Sequence, residues 1–221
     1  MLYIVATPIG NLEDMTLRGI RILKEVNYIF AEDTRVTKKL LNHFEIENTV
    51  YRYDEFTKMH QITNIINLLK EGKDIALVTD AGTPCISDPG YELVDAAHKE
   101  GIKVVPIPGA SALTASASVA GLSMRRFCFE GFLPKKKGRQ TLLKSLAEEE
   151  RTIVIYESPF RIEKTLRDIE QFIGVRDVVI IREITKIYEE IMRGTTTELI
   201  ERLSKNPIKG EIVLLIKGLE D

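Results

Sequence analysis

The chain has 221 residues, 44% hydrophobic and 29% charged, with 31 Lys/Arg against 33 Asp/Glu for a formal net charge of −2. That length holds one large or two modest domains without a disulfide or metal staple, and the near-neutral balance excludes a global basic field for nucleic acid. Cys85 and Cys128 form no CxxC pair or spaced framework, and no basic leader or apolar span of ~20 residues is present, so a soluble protein of the reducing cytoplasm is expected, with no metal and no membrane. Residues 2–6 read as a buried strand running into the tight loop Thr7, Pro8, Ile9, Gly10, Asn11. Thr16 caps a helix striped by Leu17, Ile20, Leu23 and Val26. A second strand over 28–31 meets four polar residues at once, Glu32, Asp33, Thr34 and Arg35, and a third over 50–53 ends in Asp54 and Glu55. Ile62, Ile65, Ile66 and Leu69 define an amphipathic helix that stops at Gly72.

The stretch over 74–90 organises this half. Its apolar run 75–78 is a buried strand, and a helix carrying Leu93, Val94 and Ala97 follows and stops at Gly101. Between them lies a loop holding Asp80, Asp88, Thr83 and Ser87 among Gly82, Gly90, Pro84 and Pro89, longer than the ~2–6 residues such connections usually take. A strand near Val104 and Val105, the turn Pro108, Gly109, Ala110, Ser111, and a small-residue helix from Ser111 toward Gly121 complete a repeated β-α pattern. This predicts an α/β domain over 1–118 with a mostly parallel sheet, whose strand-end loops gather along one edge where such sheets bind ligands. A second α/β domain is expected over 119–221, with strands near 127–132, 153–156, 178–181 and 212–216 and helices striped by Ile162, Leu166, Ile169 and by Leu199, Ile200, Leu203. Two abutting α/β domains predict a ligand cleft between them.

No Walker A, GxGxxG or GxSxG sequence is present, and His43, His60 and His98 lie apart, so the usual nucleotide and hydrolase signatures are missing. What remains is a set of polar clusters at strand ends: residues 32–35, Asp80, Glu157 with Ser158 and Arg161, and Arg182 with Glu183 and Lys186. Between Arg125 and Lys144, seven Lys/Arg face one acid, Glu130. Lys135, Lys136, Lys137 and Arg139 read as phosphate contacts, while Phe127, Phe129 and Phe132 read as core aromatics of a strand.

Residues 5–12, 31–35, 79–84, 87–90, 108–112 and 130–134, then Tyr156, Glu157, Ser158 with Arg161, Arg182, Glu183 with Thr185 and Lys186, and Gly210 with Glu211 form a series of short polar and glycine-rich runs along the chain. Together they resemble the ribosomal RNA small subunit methyltransferase I family, within the tetrapyrrole methylase superfamily. The resemblance implies a two-domain homodimer that binds S-adenosylmethionine and methylates the 2′-oxygen of a cytidine in the decoding region of small-subunit (16S) ribosomal RNA, free or in the assembled subunit. It places the cofactor against Pro8, Gly10, Asp80, Ala81, Gly82, Thr83, Ile86, Ser111 and Ala112, with Glu157, Gly210 and Glu211 closing from the second domain. Asp33 matches an acidic residue that acts as a base in some tetrapyrrole methylases. Glu32 is the other candidate base, and Arg35 and Lys186 are candidate partners for the developing alkoxide or a phosphate. Two departures stand out: Phe160 occupies a position where the family commonly has histidine, and many members extend past the strand after Gly210 and Glu211, where this chain stops at Asp221. A C-methyltransferase acting on a tetrapyrrole, and a non-catalytic RNA-binding assembly factor, are the competing readings.

Overall fold

The computed structural model describes residues 1–219, which divide into two compact units, Met1–Ser111 and a second beginning at Ala112. The division falls ahead of the 118/119 boundary expected from sequence, because the small-residue helix Ala112–Val119 packs on a strand of the second unit.

The first unit alternates strands β1 (Leu2–Val5), β2 (Tyr28–Ala31), β3 (Val50–Arg52), β4 (Ile75–Val78) and β5 (Val104–Ile107) with helices α1 (Leu17–Glu25), α2 (Thr34–His43), α3 (Lys58–Lys70) and α4 (Tyr91–Lys99). The strands form one sheet in the order β3-β2-β4-β1-β5, every pairing parallel. Parallel sheets are covered on both faces, so their strands must be apolar at successive positions rather than alternately. β4 meets this requirement with all four residues buried. Tyr3, Val5, Ile29, Ala31, Ala76 and Val78 pack with Ile22 and Leu23 of α1 and Leu41 of α2. Leu2, Phe30, Ile75 and Leu77 pack on the other face with Ile65 and Leu69 of α3 and Leu93 of α4. The helices that follow β1 and β2 therefore lie on one face, and the helix that follows β4, the strand between them, lies on the other. That reversal opens the sheet's carboxyl edge beside β4, the place where open α/β sheets hold ligands.

The second unit comprises α5 (Ala112–Val119), β6 (Phe127–Phe132), α6 (Arg139–Ser145), β7 (Thr152–Glu157), α7 (Ile162–Phe172), β8 (Asp177–Arg182), β9 (Glu190–Thr195), α8 (Thr196–Lys205) and β10 (Ile212–Ile216). Its sheet runs β6-β7-β10-β8-β9, with β6 and β7 parallel and the remaining pairs antiparallel. Alternate residues again divide between two faces. Ile153, Ile155, Val178, Ile180, Ile212 and Leu214 meet α6, α7 and α8, while Val154, Val179, Val213 and Leu215 meet Ala120 and Leu113. Helix α8 carries a complete capping box, Thr195 with Glu198, which fixes its start immediately after β9. Among the described residues no helix is long and apolar enough to cross a membrane.

Candidate active site

In the first unit the loops after β1, β4 and β5 are bonded to one another. Thr7 and Gly82 exchange backbone hydrogen bonds, N to O at 2.9 and 3.0 Å, and the Thr7 hydroxyl donates to the Thr79 carbonyl at 3.1 Å. The Thr83 hydroxyl donates to the Ala110 carbonyl at 3.2 Å. Gly82 holds φ at +87°, a left-handed conformation that glycine adopts without cost. Gly109 lies so close to β1 that an added Cβ would stand 2.9 Å from the Ala6 Cβ. Pro8, Gly10, residues 80–83, Ile86 and Ser111 are thus gathered at one sheet edge. Asp80, Ala81, Ile86 and Gly10 are exposed, whereas Pro8 and Gly82 are buried beneath them.

The acidic residues at this edge differ sharply in environment. Asp33 caps α2, accepting from the Arg35 amide at 2.8 Å, and its carboxylate also takes a forked bond from the Arg35 guanidinium. Those bonds hold Asp33 far below the usual carboxylate range. Glu32, the next residue back, accepts from the Thr79 hydroxyl at 3.2 Å, and burial followed by the neighbouring charge of Asp80 pushes its pKa up. Asp88, half-buried in the same loop as Asp80, is raised to about 6 by burial and then by Glu32. Asp80 accepts from the Asp33 amide at 2.9 Å, which fixes the loop after β4 to the start of α2. Glu32, Asp33, Arg35 and Asp80 line a pocket of about 580 Å³ together with Asp54 and Phe56.

The sequence leaves Asp33 and Glu32 both as candidate bases, and the bonds from Arg35 lower the pKa of Asp33 alone. The same bonds tie up Arg35, leaving Glu32 as the lining carboxylate with raised basicity. In the sequence Asp88 is only one more polar residue of the loop, since its half-burial has no local signature.

In the second unit the predicted residues are mostly engaged by one another. Glu157 is buried, accepts from the Thr165 hydroxyl at 2.6 Å and from the Ser158 amide at 2.7 Å, and is paired with Arg161. These bonds hold its carboxylate at the start of α7. Lys186 bonds Glu183 and Glu211, each at 2.9 Å. Burial opposes its charge, yet the bonds to Glu211 and Glu183 outweigh this and raise its pKa, so Lys186 is a paired cation. Gly210 has φ at +94°, and a Cβ there would fall on the Glu183 side chain. Glycine at 210 is thus required by the approach of Glu183, whose carboxylate takes the Glu211 amide at 2.9 Å. Ala112 opens α5.

Arg139 departs from the exposed phosphate contact expected of it. It is buried, with Nε donating to Asp168 at 2.8 Å, Nη2 to the Thr165 hydroxyl at 2.8 Å and Nη1 to the Pro134 carbonyl at 3.3 Å. A guanidinium committed in this way is not available to a phosphate. Lys135, Lys136 and Lys137 are exposed, and none has a carboxylate partner among the described residues.

This architecture is that of a family of methyl-transferring enzymes. The Tetrapyrrole (Corrin/Porphyrin) Methylases profile matches residues 1–200. Two solved structures share the fold at a TM-score of 0.72: the cobalamin biosynthetic enzyme cobalt precorrin-4 methyltransferase, 20% identical over 98% of this chain and 94% of that one, and the methyltransferase CobJ, 17% identical over 99% and 94%. Among curated relatives, the ribosomal RNA small subunit methyltransferase I of Thermotoga maritima is 50% identical over 99% of both chains. Those of Halalkalibacterium halodurans and Bacillus subtilis are 51% and 46% identical, covering 98% and 99% of this chain and 75% of each relative. The chain belongs to the tetrapyrrole methylases and, within them, to the ribosomal RNA small subunit methyltransferase I family. Methyltransferases of this family use S-adenosylmethionine as donor.

Proposed function

We propose that this protein transfers the methyl group of S-adenosylmethionine to the 2′-oxygen of a cytidine in the decoding region of small-subunit ribosomal RNA. The observation that carries the reading is the near-full-length identity of about half the residues with relatives named for that ribosomal RNA. The residues at the first unit's sheet edge fit the cofactor. The exposed Asp80 supplies negative charge for the ammonium or sulfonium, Ala81 and Ile86 offer apolar surface for the adenine, and Gly82, buried and bonded to Thr7, sets the shape of the loop beneath them. Ser111, Gly10 and the Pro8 turn complete that set.

When bound, the cofactor supplies an electrophilic methyl group to an in-line displacement. Orientation then provides much of the acceleration, since holding nucleophile and methyl in line replaces an improbable encounter. A ribose hydroxyl is a poor nucleophile at neutral pH and needs a proton acceptor. Glu32 meets that requirement: it lines the pocket, its raised pKa makes it the stronger base, and the Thr79 hydroxyl holds its orientation. Asp33 and Arg35 serve as an electrostatic brace that positions the start of α2. Lys186 acts through its ion pairs with Glu183 and Glu211. The working unit is a homodimer in this reading, and its setting is the cytoplasm.

The test is to map ribose methylation on small-subunit RNA from cells with and without this gene, then restore it in vitro with purified protein and labelled donor. Loss of one cytidine 2′-O-methyl group in the deleted strain is the expected result. An unchanged map, or methyl incorporation into a tetrapyrrole instead, overturns the reading.

A further inference from the structure

Two loops leave the same edge of the second sheet side by side. β6 and β7 are parallel neighbours in which Phe132 pairs with Tyr156, so residues 133–138 and 158–161 emerge together. A bulge between Phe129 and Gly131, where Gly131 takes φ of +58°, shifts the strand by one residue. Residues three apart on a regular strand point to opposite faces, and this bulge returns Phe132 to the face of Phe129. Both rings then stand edge-on to Tyr156, at 4.9 Å for Phe129 and 5.6 Å for Phe132. Phe129 is half-buried, while Phe132 is 60% exposed.

The neighbouring loop presents Phe160 with 95% of its surface exposed, on a backbone that is firmly held. The Phe160 amide donates to the Ser158 hydroxyl at 3.3 Å, and the Arg161 amide to the Ser158 carbonyl at 2.9 Å. Arg161 then crosses to the other loop, donating from Nη2 to the Leu133 carbonyl at 2.9 Å. With Arg139 on the Pro134 carbonyl, two buried or half-buried arginines fix the turn that carries Lys135, Lys136 and Lys137. Phe132 at the end of β6, Phe160 on the neighbouring loop, and three lysines with no carboxylate partner among the described residues therefore stand side by side on hydrogen-bonded backbone.

We propose that Phe160, together with Phe132, is a stacking platform for unpaired bases of a single-stranded RNA segment whose phosphates are neutralised by Lys135, Lys136 and Lys137. The proposal deepens the RNA-methyltransferase reading and rests on it. Aromatic side chains beside a basic track form the usual combination for single-stranded nucleic acid, because every base offers a π-face and every linkage a negative charge. A duplex keeps its bases stacked inside and cannot use the rings. Charge complementarity also decides against a second copy of this chain, since a symmetric pairing would bring two unpaired lysine triplets together.

The chain contains no tryptophan, so Phe160→Trp introduces a single indole as a fluorescent reporter at the site. The intact protein is titrated with a single-stranded fragment of small-subunit RNA, with a duplex of the same sequence and with the assembled small subunit. Affinity and its salt dependence are measured for the parent, Phe160→Ala, Phe160→Leu and Phe160→Trp. The expected result is strong quenching of the introduced indole by the single strand and little by the duplex. Phe160→Ala and Phe160→Leu should bind the single strand roughly tenfold more weakly, the scale of one lost stack, with parental salt slopes and unchanged donor affinity. If the parent binds the RNA but the indole of the Phe160→Trp variant is not quenched, or if Phe160→Leu binds like the parent, the platform is overturned and the RNA reading stands. A parent that binds neither the fragment nor the assembled small subunit overturns both. Dissociation of a dimer by Phe160→Ala, with unaltered RNA affinity, overturns the platform by making this face a contact between copies.

Discussion

Glu32 and Asp33 are adjacent in the chain and opposite in electrostatic character. One is lifted by burial and by Asp80, the other pulled down by a forked bond from Arg35. A proton acceptor must still bind the proton it removes, so on the proposed reading the carboxylate with the raised pKa is the better candidate. In single-turnover methyl transfer, Glu32→Gln should slow the chemical step by about 10²- to 10⁴-fold, with donor affinity retained. Asp33→Asn should act through loop placement and cost less. Equal losses in the two variants would sink the assignment. Asp88 carries a second expectation. Its folded-state pKa, about 6, lies above the ordinary 3.8, so its contribution to stability is fully present only below about pH 3.8 and is lost as pH rises through about 6. Asp88→Asn should therefore stabilise the protein above pH 6 relative to the parent, with the gain vanishing toward pH 4. Urea midpoints across that range check the sign.

At the scale of elements, a buried network joins β7, α6 and α7 through Arg139, Thr165, Asp168 and Glu157. Arg139→Ala leaves Asp168 bonded to Lys164 at 2.8 Å but removes the guanidinium from Asp168, Thr165 and the Pro134 carbonyl, so it should cost roughly 2 kcal/mol of stability. Chemical denaturation reads this directly, and a loss under about 1 kcal/mol would mean that the network relaxes around the gap. The same network shows where the sequence is legible and where it is not. β1 and β4 are clear because every residue is apolar, as a doubly covered parallel strand demands. The edge where 7–10, 32–35 and 79–90 converge follows from that topology. β9 has no such signature, because Met192 alone among Glu190, Ile191, Met192 and Arg193 is buried, and Ile191 faces outward. α6 is hidden behind a basic run. Arg139 reads as one more surface cation because its partner Asp168 lies 29 positions away, a pairing that only the packing of α6 on α7 reveals.

The whole molecule carries a net charge of −2, so RNA affinity must come from local charge placed against the field of the rest. Many of its cations are already compensated. Lys99 pairs with Asp95 and Lys205 with Glu201, each one helical turn away and bonded at 2.6 Å. Such a cation releases few counterions from RNA, because its own carboxylate partner competes for it. Lys135, Lys136 and Lys137 have no such partner among the described residues. Counterion release per neutralised phosphate on a single strand contributes about 0.7 to the slope of log affinity against log salt. Replacing all three lysines with alanine should therefore lower the slope by about 2, whereas Lys99→Ala with Lys205→Ala should leave it near the parental value. Adding Arg139→Lys to the triple variant should not lower the slope further, because that side chain is turned into the unit and bonded to Asp168. Fluorescence anisotropy with a labelled single-stranded fragment, read at several salt concentrations, measures each slope. A triple variant that keeps the parental slope would place the phosphate track elsewhere on the surface. An equal fall for the paired lysines would show that binding senses net charge and no particular patch.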